Sequence, residues 1–144
     1  MKLSTKMRYG TRIMVELAAA YSRKTVSLKE LAQDQQLSLK YLEHIMAALK
    51  ASGLIKTERG IYGGYSLSRE PNLIRLIDLY QALEGKLLLL DCLENPSHCP
   101  INQECPSRDI WCKINDGIKK VLERTTVQDL LEKKRKRLRK LSNS

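Results

Sequence analysis

Ser38-Leu39-Lys40-Tyr41-Leu42-Glu43-His44-Ile45-Met46-Ala47-Ala48-Leu49-Lys50-Ala51-Ser52-Gly53 places apolar residues at 39, 42, 45, 46 and 49, the spacing of one helical face. Ser38 is a good helix N-cap, and Gly53 readily supplies a left-handed stop, so the stretch predicts a helix begun and ended by its own residues. Before it, Ser27-Leu28-Lys29-Glu30 is a capping box opening a short helix with Leu28, Leu31 and Ala32 on one side, broken around Gln35–Leu37. Before that again, Ile13, Met14, Leu17, Ala18 and Tyr21 mark a first helix over about 3–23. After Gly53, Leu54–Arg59 and Tyr65–Ser68 flank a glycine-rich turn and read as a β-hairpin. Helix, short helix, tight turn, third helix and two-stranded wing is the order of a winged helix-turn-helix. The predicted fold is mainly α with a small β-hairpin wing, followed by a long C-terminal dimerisation helix.

The rest of the chain reads as two further segments. Beyond Pro71, a short helix over about 76–84 is closed by Gly85, and residues 91–106 hold three of the four prolines and three of the four cysteines, a loop. A long helix from Ser107 carries Ile110, Trp111, Ile114, Ile118, Val121 and Leu122. Thr125-Thr126 marks a break before a final helix that enters the basic run Lys133–Lys140. The expected division is 1–70, the DNA-binding domain; 71–106, a short helix and cysteine-rich sensor loop; and 107–144, the dimerisation helix and a basic helix or tail.

The 144 residues, with 26 Lys+Arg against 16 Asp+Glu, have a net charge of +10, which favours a polyanionic partner. The excess is uneven: +6 on residues 1–70, −3 on 71–112 and +7 on 113–144. Seven basic residues crowd into 133–140, where mutual repulsion favours a solvated, fraying end. No signal-like segment opens the chain and no apolar run nears the roughly 20 residues of a membrane span, so the expectation is a cytoplasmic protein without membrane association, its thiols reduced.

If the apolar stripe of the third helix faces the core, Ser38, Lys40, Tyr41, Glu43, His44 and Ala47 face away, where they can meet double-stranded DNA in the major groove. The alternative is a solvated polar face. A carboxylate such as Glu43 is repelled by phosphates and is useful there only as an acceptor from a cytosine amine, or to select against other bases. Arg59 flanks the wing turn and can enter a narrow minor groove, while Lys2, Lys6, Arg8 and Arg12 are candidates for phosphate contacts or a merely solvated end.

Met1-Lys2-Leu3-Ser4-Thr5-Lys6-Met7-Arg8-Tyr9, Leu37–Glu43, Gly53-Leu54-Ile55, Arg59-Gly60-Ile61-Tyr62-Gly63-Gly64-Tyr65 and Ala82-Leu83-Glu84-Gly85 resemble the IscR-type transcription regulators, over about residues 1–131. The resemblance implies a homodimer joined by the helix at 107–124, a palindromic operator, and in many members an iron-sulfur cluster. The apolar stripe on that helix independently asks for a partner surface.

Cys92, Cys99, Cys105 and Cys112 fall within 21 residues, three of them on the proline-broken loop. Thiolates are the usual ligands of iron-sulfur clusters, and a loop lets several converge on one inorganic core. Zinc sites more often use tight C-x2-C pairs, which are absent, and the remaining alternative is plain burial. The resemblance carries Cys92, Cys99 and Cys105 over as ligands of a 2Fe-2S or 4Fe-4S cluster. The family's histidine, three residues after the third cysteine, is here Arg108, and the carboxylate that a related subgroup takes from the first helix is here Arg8. Neither can ligate iron, so the fourth ligand differs or is missing; Cys112 is the best local candidate and His98 the second.

The reading is a DNA-binding regulator that senses cluster or redox status. Its alternative is a cluster-free regulator of the same fold controlled by a protein or small-molecule partner. A thiol redox enzyme is disfavoured: there is no C-x-x-C pair, and neither His44 nor His98 sits in a recognisable catalytic arrangement.

Overall fold

The computed structural model describes residues 2–144; Met1, the first residue of the opening motif, lies outside them. Six helices and one hairpin follow in the order α1 (Thr5–Ala20), α2 (Leu28–Gln35), α3 (Leu39–Ala51), β1 (Ile55–Glu58), β2 (Gly64–Leu67), α4 (Leu76–Glu84), α5 (Arg108–Arg124) and α6 (Val127–Ser142). Mainly helical, with a two-stranded antiparallel wing and long C-terminal helices, this is the architecture the sequence predicts.

Local chemistry sets the boundaries. Ser4 Oγ accepts from Met7 N–H at 3.0 Å, which starts α1 two residues later than its apolar periodicity suggested. At the other end α1 stops at Ala20, short of Arg23, and Ser22 turns left-handed. Both halves of the α2 capping box form: Ser27 Oγ accepts from Glu30 N–H at 3.1 Å, and Glu30 Oε2 accepts from Ser27 N–H at 2.8 Å. Gln36 then turns left-handed (φ 54°), and Ser38 Oγ caps α3 by accepting from Tyr41 N–H at 3.2 Å.

Ile13, Met14, Leu17, Leu31, Leu42, Ile45, Met46 and Leu49 are at most 1% exposed and form the centre of the helix-turn-helix core. Leu39 does not join them. It is half exposed, because the first residue of α3 projects past the end of the buried stripe. Leu79 and Leu83 bring α4 against α1, where Gly10 makes the close approach possible: a Cβ there would run into Leu83 Cδ1.

The chain returns to its own core at the end. Leu76 N–H donates to Thr125 O and Val127 N–H to Ile74 O, both at 2.9 Å, and Val127 and Leu131 bury one side of α6 against the body. The basic run is therefore helical as far as Ser142, and Lys134 pairs with Glu16 of α1. By contrast, α5 has no buried residue; Ile110, Trp111, Ile114 and Val121 are 40–63% exposed in the single chain. No helix among the described residues is long and apolar enough to cross a membrane.

Candidate nucleic-acid interface and cysteine loop

Ser38, Lys40, Glu43, His44 and Ala47 are exposed on α3, and Tyr41 is partly buried. The structure thus gathers these residues on one face, with the apolar stripe behind them. Among the described residues Lys40, Glu43 and Arg59 have no ion-pair partner, which leaves their charges available to a ligand. Tyr41 is positioned by Tyr9, whose ring meets it edge-on at 6.1 Å, while Arg8 and Arg12 lie over the Tyr9 ring at 5.9 and 5.3 Å. Aromatic and cation–π pairs of this kind fix geometry as well as adding about 0.5–1.5 kcal/mol each.

The wing carries Arg59 exposed at the end of β1, but its fastening is not visible in the hairpin pattern. Val26 exchanges two backbone hydrogen bonds with Tyr65, at 2.9 and 2.8 Å, so the wing is stitched to the segment before α2. Thr25 Oγ1 also donates to Tyr62 O at 2.6 Å. At the tip, Ile61 and Tyr62 are 97% and 91% exposed. Two large apolar side chains presented by a turn can lean into a groove, and the signal for them was their position between Gly60 and Gly63.

The loop at 91–106 folds as three successive 3-10 turns, Asp91–Leu93, Pro96–His98 and Asn102–Glu104. All four cysteines are free and partly buried. Among the described residues no three His, Cys, Asp or Glu side chains come together closely enough to hold a metal ion. Instead, Arg108 crosses the loop: its Nη1 donates to Cys92 O at 3.2 Å and to Asn102 Oδ1. A cation with no lone pair thus pins the two ends of the cysteine loop, and as placed these residues do not form a donor set for a cluster. Hydrogen bonds from the Ser107 side chain and backbone, helped by Arg108, hold the Cys105 thiol below the ordinary cysteine range.

A helix-turn-helix with an exposed polar α3 face and a stitched wing is the architecture of a DNA-binding transcription regulator. Comparison with known proteins narrows this. The profile of the Rrf2 family, described as iron-dependent transcriptional regulators, matches residues 3–133, and the chain belongs to that family. It is 42% identical over 130 residues to the HTH-type transcriptional regulator CymR of Bacillus subtilis (strain 168), covering 90% of this chain and 89% of that one. The solved structure of CymR (YrzC), described as the global cysteine regulator of B. subtilis, superposes with a TM-score of 0.79 at 40% identity, covering 92% of this chain and 97% of that one. The T. potens IscR structure gives 0.72 at 36% identity, covering 92% and 88%. The resemblance is therefore to the Rrf2 family as a whole, with CymR and IscR-type proteins both among the similar chains.

Proposed function

We propose that the protein is a homodimeric regulator that binds a palindromic double-stranded DNA operator in the cytoplasm, and that its DNA affinity is set by a protein or small-molecule partner rather than by a cysteine-ligated cluster. The observation that carries the cluster-free part is Arg108, donating into the backbone of Cys92 and the side chain of Asn102 where a cluster-holding loop would need an electron-pair donor. The exposed apolar stripe of α5 supports the dimer, since such a stripe stays dry only against a partner surface. Ser38, Lys40, Tyr41, Glu43 and His44 read the major groove from α3, and Arg59 reaches the minor groove from the wing. Similarity to the global cysteine regulator of B. subtilis extends the proposal to genes of cysteine metabolism.

A second reading is supported by the family's description as iron-dependent: a cluster on Cys92, Cys99 and Cys105, with Cys112 as fourth ligand, held by a rearranged loop. Anaerobic purification with iron and sulfide analysis, followed by operator binding, separates the two. The first reading expects specific DNA binding without stoichiometric iron. A visible absorption band with stoichiometric iron and sulfide, whose removal changes operator affinity, overturns it; loss of that band in Cys112→Ala would then assign the fourth ligand.

A further inference from the structure

α6 folds back along α1 and leaves a cavity of about 490 Å3 between α1, the C-terminal end of α2 and α6. The volume lies within the roughly 300–1,000 Å3 of small-molecule sites. Val15, Leu130 and Leu138 give it apolar walls. Arg12, Lys133 and Arg137 also line it, none with an ion-pair partner among the described residues, whereas Lys134 is paired with Glu16. Lys133 and Arg137 are one helical turn apart on α6, so their side chains share a face.

The end of α2 contributes Asp34 and Gln35 to the lining. Gln35 is the only polar residue in the buried core of the described chain, at 6% exposed, and its Oε1 has no hydrogen-bond partner. A buried acceptor left without a donor is destabilising. Gln35 borders the cavity, and its soft terminal amide torsion decides which end of the amide faces a bound group.

We propose that this cavity is the site of a small zwitterion of the free amino-acid class. The carboxylate lies toward Lys133 and Arg137, the ammonium lies toward Asp34 and Gln35 Oε1, and the side chain rests on Val15, Leu130 and Leu138. A simple anion leaves the acceptors unused, and a nucleic-acid backbone meets the Asp34 carboxylate. The proposal rests on the partner-controlled reading above and names the partner's chemistry.

The site is wired to the DNA face in two ways. Gln35 is followed by the left-handed Gln36 and the α3 cap Ser38, so a shift of the α2 end moves the start of the recognition helix. Arg12 lines the cavity and lies over Tyr9, which holds Tyr41. Because both sites bias the same packed elements, ligand and DNA must alter each other's affinity by the same factor.

The test titrates each common L-amino acid singly into the full-length protein by calorimetry, with propionate and ethylamine as probes lacking one charge. At least one amino acid is expected to bind saturably, once per chain, and to shift operator affinity, with both half-probes far weaker. The double variant Lys133→Gln/Arg137→Gln should weaken binding about tenfold or more. Gln35→Met should do the same while its unliganded melting temperature stays level or rises, since it removes the orphaned acceptor. If no amino acid binds, or if these variants bind as the wild type does, the cavity holds water only and the proposal is wrong. Failure of the broader reading would look different: cluster-dependent DNA binding, or none.

Discussion

Replacing Gly64 with alanine asks whether backbone contact alone holds the wing on the body. An added Cβ would lie 2.7 Å from the Val26 carbonyl oxygen and 2.8 Å from its carbon, atoms of a main chain that cannot swing aside. Comfortable carbon contacts are about 3.5–4.0 Å, so β2 must retreat by close to 1 Å. That displacement breaks the two Val26–Tyr65 hydrogen bonds. At about 0.5–1.5 kcal/mol net for each, the loss is about 1–3 kcal/mol, and with about 2–4 °C per kcal/mol in a chain of this size the melting temperature falls by about 4–8 °C at mid-range. Gly53→Ala is the internal control. It forces a side chain into φ +77° with nothing within 4 Å, so it costs about 1–2 kcal/mol of backbone strain and leaves the wing seated. Thermal melts with operator titration by fluorescence anisotropy should show both variants destabilised, but only Gly64→Ala losing the wing's share of DNA affinity. Equal DNA affinities for the two variants, or a Gly64→Ala melt within about 1 °C of wild type, would show that the wing is held elsewhere.

Ile114→Glu places a charge in the exposed α5 stripe, and sedimentation should show a monomer with an unchanged helical spectrum; a persistent dimer would move the interface elsewhere. The Glu30 carboxyl is held below its ordinary value near 4.5 first by the Ser27 backbone N–H, then by the Ser27 hydroxyl and Lys24. Its lowered folded pKa means that its contribution is complete above the ordinary value and fades as pH falls through the folded one, so Glu30→Gln should flatten the acid limb of the melting curve. Replacing the exposed Arg135, Lys136, Arg139 and Lys140 with glutamine should leave the salt slope of operator binding unchanged, whereas a drop of about 0.9 per residue would make them phosphate contacts.

The helix-turn-helix was legible because its signals are local: Ser27 with Glu30, Ser38, Gly53 and Gly85 each act on residues a few positions away. What escaped the sequence reading depends on distant partners. Val26 is one residue of bridge, too short to register as a strand, yet it fixes the wing. The final helix is expected from Val127, but the seven cations around Leu138 read as a solvated end and hide the packing of that helix on α1. Arg108 could be read as an unsuitable ligand, but its second role as a cross-loop pin needs the folded positions of Cys92 and Asn102. The exposed α3 residues followed directly from the helical period, except at Leu39, where the period holds and the core simply ends.

The pair of hydrogen bonds that join Leu76 to Thr125 and Ile74 to Val127 has an evolutionary consequence. α4 packs on α1, but the segment after Gly85 through α5 leaves the body and the chain returns to it at this clasp, so that segment is topologically an insert in a DNA-binding frame made of α1–α4, the wing and α6. Closing a longer or shorter insert changes the entropy of the chain only logarithmically. A frame of this kind can accommodate inserts of different length and composition without relearning how to fold.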